Sequence, residues 1–371
     1  MRAPHQQQHT KVSFRRDNLF LLFLHRMKLK KKTKKILFFS ALILILISGA
    51  AYYFILNGNI SFASNKEKEY LYIPTGASFE DVLKILKEKK LLNDERSFTL
   101  LSQSVGYTGK VLPGKYRLKN KMTNYQLVRL LKSGKQEPVK LIVKGSQSFQ
   151  NFLEYTSENL ELSFDELNRK LTDKKFLNQY NLNTETAPCL IIPNTYEVYW
   201  NISLEKFMER MVGAYEKYWD DKRINKCKEA GLTKTQAVTL ASIIEKETDR
   251  DKDLPIIAGV YINRIAKGMK LQADPTVLFA LNDQTSKRVY GKMLEYDSPY
   301  NTYKYTGLPP GPICIPAIQS VEAVLDYRVH NFIYFCARPD GSGYSDFAET
   351  YKDHQLNAKK YRNYLDSRNI K

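Results

Sequence analysis

The rhythm of apolar positions changes several times along the chain, and each rhythm predicts a different element. Residues 36–56 are apolar with no charge among them. As a helix they would extend about 31 Å, matching a hydrocarbon core of ~30 Å, so one membrane-spanning helix is predicted. After a polar linker from Asn57 to Lys68, residues 69–73 read as a strand, and Ser78 opens an amphipathic helix carrying Val82, Leu83, Ile85 and Leu86 on its apolar side. A second helix follows near 94–105. Leu112-Pro113-Gly114 turns into a strand, Thr123 caps a helix with Leu127, Leu130 and Leu131, and Gly134 stops it. Val139 to Val143 then returns to strand, which makes residues 68–145 a small α+β domain. Residues 146–230 carry Leu, Phe and Tyr at helical spacing, with Pro188 and Pro193 marking a loop between packing helices.

The densest chemistry lies beyond residue 230. Thr233 and Gln236 have capping-box spacing and open a helix with Ala237, Leu240, Ala241 and Ile244 along its apolar stripe. That helix ends in Glu245-Lys246-Glu247. At about 100° per residue the two glutamates fall on opposite edges of the stripe, roughly 160° apart, so they cannot act as a close pair. Acids at a helix C-terminus oppose the macrodipole. A carboxylate without local stabilisation beside apolar surface is in the setting that keeps a carboxyl protonated near neutrality, as a general acid requires. The competing reading is a solvated helix end. A further helix spans about 254–267, with Ile257, Val260, Tyr261, Asn263 and Arg264, and Gly268 ends it. Asp274-Pro275 reads as an N-cap followed by a first-turn proline, giving Asp274 a capping role first. From Tyr296 to Pro316 the chain is a long loop rich in tyrosine, the kind of segment in which binding sites concentrate.

Composition and charge narrow the classes. With 371 residues, 43% hydrophobic and 26% charged, the chain is a folded protein of two or three units. Of the net +19, residues 1–57 hold +10; the remaining +9 is spread without a dense arginine cluster, which argues against nucleic acid. Lys28, Lys30, Lys31, Lys32, Lys34 and Lys35 precede the apolar run, so the positive-inside rule keeps residues 1–35 cytoplasmic and carries everything after residue 57 across the membrane. A cleaved signal peptide competes, with Ser48-Gly49-Ala50 as its site, but an ordinary apolar region is about 7–15 residues and this one continues to Leu56. Residues 1–26 read as a mis-assigned start, with Met27 beginning an ordinary anchored protein. Cys189, Cys227, Cys314 and Cys336 contain no Cys-x-x-Cys and read as small buried hydrophobes, with disulfides left open. Gly109-x-x-x-x-Gly114-Lys115 mimics a phosphate loop, yet Tyr116 and a strand follow where a helix should begin. Neither Gly-x-Ser-x-Gly nor His-Glu-x-x-His occurs, and no metal or organic cofactor is implied.

The run Leu240-Ala241-Ser242-Ile243-Ile244-Glu245-Lys246-Glu247-Thr248, then Val260-Tyr261-Ile262-Asn263-Arg264 and Leu271-Gln272-Ala273-Asp274-Pro275-Thr276, resembles the membrane-anchored endolytic murein transglycosylases, the YceG-like family. The likeness continues through Tyr300-Asn301-Thr302-Tyr303, Gly307-Leu308-Pro309-Pro310-Gly311-Pro312-Ile313, Phe347 and His354. Two departures stand out: Cys189-Leu190-Ile191-Ile192 replaces an acidic-glycine pair before Pro193-Asn194-Thr195-Tyr196, and Ser345 stands where the family often has His. The resemblance implies an α+β chain with one N-terminal transmembrane helix, a LysM-like subdomain at 68–145 and a mixed α/β catalytic domain at 146–371. It implies a lyase acting within peptidoglycan glycan strands, with the glycan-polymerising machinery as a partner. Glu245, the first glutamate of the motif, is implied as the catalytic acid/base, a choice that spacing does not make over Glu247. Asn263, Gln272, Asn301 and Tyr303 are candidates for holding the sugar. Glu247, Asp274, Thr302 and His354 are secondary members, with His354 read as a hydrogen-bonding core residue. Two rivals stay open: a hydrolytic muramidase using Asp274 to place water, and a tethered wall-binding scaffold without catalysis.

Overall fold

The computed structural model describes residues 30–56, 60–62, 68–283, 285–286 and 289–368. The reading of residues 1–26 as a mis-assigned start lies outside them, as do Lys28 and most of the linker after Asn57. Helix α1 (Lys31–Leu56) is long and apolar enough to cross a membrane. Ile43, Leu44, Ile45, Leu46 and Ile47 all stand exposed on it, a continuous apolar surface that a soluble domain would bury and lipid can cover.

The chain beyond divides into two compact units, the first comprising residues up to 71 with 77–112 and 117–134, the second comprising 72–76, 113–116 and 135–371. Strand β1 (Lys68–Ile73) is followed by α2 (Phe79–Glu88), α3 (Glu95–Ser104), strand β2 (Gly114–Lys119), which pairs with β1, and α4 (Asn124–Ser133). Local chemistry sets these boundaries. Ser78 with Asp81 and Thr123 with Gln126 form reciprocal capping boxes, and Asp94 caps α3. Gly134 ends α4 at φ 64°, a left-handed conformation that glycine adopts at little cost. Of the predicted apolar positions Val82, Leu86, Leu127 and Leu131 are buried and Leu83, Ile85 and Leu130 half-buried, and Phe98 of α3 joins the core.

The second unit opens with β3 (Val139–Val143), then α5 (Phe149–Asn159), α6 (Phe164–Leu171), α7 (Lys174–Asn178) and β4 (Asn194–Val198). Strand β3 pairs antiparallel with β4, Leu141 opposite Tyr196, which ties it to this unit and not to the small domain before it. Strand β4 falls in a stretch read from sequence as helix and loop, because five residues after a proline carry too short an alternation to register. Helices α8 (Leu204–Tyr218), α9 (Asp221–Glu229), α10 (Lys234–Glu247), α11 (Leu254–Ala266) and α12 (Asp274–Ala280) follow, then α13 (Ile318–Leu325), the hairpin of β5 (Tyr334–Ala337) with β6 (Ser345–Ala348), and α14 (Tyr351–Ser367).

Helix α10 is the centre of this unit. Its capping box is made as predicted, but every residue from Ala237 to Ile244 is buried, because α11, α12, α13 and α9 all pack on it. An all-round buried helix must satisfy its own polar groups: Thr239 Oγ1 donates to Thr235 O and Ser242 Oγ to Thr239 O, each one turn back. Ser242 Oγ then accepts from Ile313 N at 3.0 Å, which pins the proline-rich loop to the helix. Helix α12 begins with Asp274 itself, after an N-cap at Ala273 that makes no side-chain bond. The capping role expected of Asp274 is therefore not taken, and its carboxylate is released for another use.

Candidate active site

The last turn of α10 delivers its two glutamates to different places. Glu247 enters the wall of a cleft of about 1040 Å³, shared with Arg264, Gln272, Asp274, Tyr303, His354 and the polar segment 146–151. Burial is the main cause that pushes its pKa up from 4.5 to about 7; the negative charge of Asp274 adds to the rise, while the Tyr261 hydroxyl and Arg264 pull against it. Tyr261 OH donates to Glu247 Oε1 at 2.8 Å, and the same burial and neighbouring carboxyl drive the phenol well above its ordinary value, so it remains a donor. The result is a carboxyl whose pKa is raised towards neutrality, orientated by a phenol that donates to it. That is the poise a general acid/base needs.

Glu245, to which the resemblance gives the proton-transfer role, is turned elsewhere. Its Oε2 accepts from Ala317 N at 3.2 Å and from the Ser320 hydroxyl, joining α10 to the first turn of α13. The carboxyl thus sits at the N-terminal end of α13 and fastens the two helices together. Of the two glutamates, Glu247 is the one in the cleft wall.

Asp274 and Tyr303 form a second pair. Tyr303 OH donates to Asp274 Oδ1, and Val289 N reaches Asp274 Oδ2 at 3.4 Å. Burial first, and then this bond and charge, drive the Tyr303 phenol up. Arg264, 7% exposed, supplies the balancing charge; its Nε and Nη1 donate to Ile333 O at 2.7 Å and Leu271 O at 2.6 Å. Fixed by backbone carbonyls, the guanidinium lowers the pKa of Glu247 and counters the carboxylates around it. His354 stacks on Tyr334 with ring centroids 5.1 Å apart, and its Nδ1 is buried without a partner among the described residues. Burial, then Arg264, lowers its pKa, which keeps the ring neutral at neutral pH. The expected hydrogen-bonding core histidine is instead a cleft-lining ring.

The other sequence candidates divide. Gln272 lines the cleft, held at φ 52° while its N–H donates to Thr302 O at 3.1 Å; non-glycine backbone in this region needs such support and concentrates at functional sites. Asn263 serves the scaffold, donating Nδ2 to His330 O and Phe332 O at 2.7 and 3.0 Å. Fully buried Asn301 donates to Leu294 O and Tyr296 O and accepts from Tyr303 N, so it shapes the loop that presents Tyr303. Thr302 Oγ1 accepts from Ala273 N at 2.9 Å and meets Thr276 Oγ1, fastening that loop to α12. Tyr261 and Arg264 are the contributors that sequence reasoning left unassigned. Their signal was available: they stand at i and i+3 beside Ile257 and Val260, so both polar ends lie on a face otherwise committed to the core.

The sequence model described as the YceG-like family matches residues 71–360. A Bacillus subtilis protein named endolytic murein transglycosylase is 30% identical over 315 residues, covering 81% of this chain and 85% of the relative. A Streptococcus pneumoniae (strain D39) protein of the same name is 25% identical over 332 residues, which is 81% of this chain but 60% of that longer relative. Among solved structures, a YceG-like protein from Listeria monocytogenes is similar at a TM-score of 0.53 with 31% identity, covering 79% of this chain and 99% of that one.

Proposed function

The chain belongs to the YceG-like family, and from that premise we propose that it is an endolytic murein transglycosylase with Glu247 as its proton-transfer group. The reaction cleaves the β-1,4 bond between N-acetylmuramic acid and N-acetylglucosamine inside peptidoglycan strands, trimming or terminating their growth. Protonated Glu247 gives its proton to the leaving glycosidic oxygen as the C1–O bond breaks. The resulting carboxylate takes the proton of the muramic acid C6 hydroxyl, whose oxygen bonds to C1 and closes a 1,6-anhydro ring. Atoms balance without water, so the enzyme is a lyase. One carboxyl can serve both steps because the nucleophile is carried by the substrate, and its proximity replaces the second catalytic group.

The observation that carries this reading is the enclosed Glu247 carboxyl, poised near pH 7 in the cleft wall and held by Tyr261. Asp274 raises the Glu247 pKa and would suit the positive charge developing at C1. Gln272 and Tyr303 line the same cleft and are the sugar-holding candidates that fit it. The apolar α1 would anchor the chain with its lysine-rich end in the cytoplasm and the cleft outside, and the first unit would act as a LysM-like grip on the glycan. Partnership with the polymerising machinery belongs to the same proposal.

The test uses the full chain, wild type, Glu247→Gln and Glu245→Gln, incubated with glycan strands whose new ends are weighed. Anhydro ends lost in Glu247→Gln and retained in Glu245→Gln support the reading. Because Asp274 shares the cleft, a hydrolytic reaction has a structural basis of its own, and reducing ends would establish it. Unchanged activity in cells for Glu247→Gln would leave only a wall-binding scaffold.

A further inference from the structure

The lining of the cleft changes character along the chain. Residues 146–151 are polar apart from Phe149, whereas α12 lines the cleft with Leu278 and Phe279 beyond Asp274 and Pro275. Phe279 is 42% exposed, although Thr276 and Val277 on the same helix are buried. Leaving a phenyl ring in water forgoes the free energy of burying it, and the usual compensation is a partner that covers it. One edge is already fixed, since the ring tilts at 50° against Tyr300 with centroids 4.8 Å apart. Phe279 also lines the cleft.

From this arrangement we infer that Phe279 is a stacking platform for a pyranose ring of the bound glycan. A pyranose has a face of C–H groups, slightly positive, that suits the negative face of an aromatic ring, and an edge of hydroxyls and acetamides that needs N–H and O–H partners. This cleft offers both kinds of surface. Phe279 stands five residues along α12 from Asp274, about 7.5 Å of helix axis, so the stacked sugar is displaced from the one whose bond breaks. The acids Glu247, Asp274 and Asp283 outnumber Lys246 and Arg264 in the same lining, which favours a carbohydrate over a nucleic acid as the partner of an exposed ring. The inference rests on the reading of this cleft as a glycan site and adds a binding position to it.

The experiment measures kcat and KM of the full chain on long glycan strands and on the shortest oligosaccharide it cleaves, for wild type and for Phe279→Ala, Phe279→Leu and Phe279→Trp. Alanine and leucine should raise KM on long strands about three- to tenfold, more than they lower kcat, and tryptophan should restore it. On the shortest substrate, which does not reach the platform, the same variants should differ from wild type by less than twofold. Leucine matching phenylalanine, or an equal loss at every substrate length, would overturn the platform. Should the wild type release no anhydro ends, the functional reading fails separately. Sedimentation of the Glu247→Gln chain with glycan strands, with and without Phe279→Ala, then decides the platform: a weakened pellet upholds it and an unchanged one ends it.

Discussion

Glu245 and Glu247 stand two residues apart on the same helix turn and do opposite things. Glu245 is half-buried and answered by an amide, a hydroxyl and the N-terminal end of α13, which hold its side chain in place. At Glu247, burial and the charge of Asp274 outweigh one phenol and the Arg264 charge, so its negative form is penalised and its pKa raised to about 7. The difference is one of surroundings, since chemistry, backbone and helix position are nearly the same. A carboxyl supplied with several donors serves as a strut, whereas a buried one that faces another acid has its pKa raised.

The largest expected contrast is in rate. Glu247→Gln should lower kcat by about 10²- to 10⁴-fold, the usual worth of a general acid/base, against less than tenfold for Glu245→Gln; end-group mass spectrometry of digested strands reads both. The same contrast should appear in pH dependence. The acid form of Glu247 is present below about 7 and lost above it, so the limb of kcat that requires a proton donor should fall as pH rises through about 7. A limb near 4.5 would remove Glu247 from that role.

Stability should move the other way. The folded-state pKa of Glu247 is raised above its ordinary 4.5, so the folded chain binds more protons than the unfolded one between those values. The favourable contribution is complete below about 4.5 and gone above about 7. Glu247→Gln should therefore be more stable than wild type at pH 8, by at most about 3 kcal/mol, and no more stable at pH 4, as thermal melts at the two pH values would show. Glu245→Ala strips the partner from Ala317 N and Ser320 and should cost about 1–3 kcal/mol at either pH. The smallest effect is expected from Tyr261→Phe. Its hydroxyl lowers the Glu247 pKa, so losing it should move the high-pH limb of kcat upward by less than one unit while leaving the reaction product the same.

Much of the frame was legible because its signals are local. Ser78, Thr123 and Thr233 announced helix starts through side chains three residues from their partners, Gly134 announced a stop, and 21 uncharged residues announced a span. The pairing of β3 with β4 was not legible, since it joins residues more than fifty positions apart through a strand of five. Asp274 shows how a local rule loses to a distant partner: its spacing before a proline fits a cap, but Tyr303, 29 residues on, takes the carboxylate instead.

The sequence by itself determined that a helix would end in two acids on opposite edges of an apolar stripe, and that only one of them could face a given surface. Which one faces the cleft was decided in three dimensions. Ser320 and Ala317 reach Glu245 across more than seventy residues, Tyr261 and Asp274 reach Glu247 from two other helices, and a pKa depends on that enclosure and those charges, which helix periodicity does not contain.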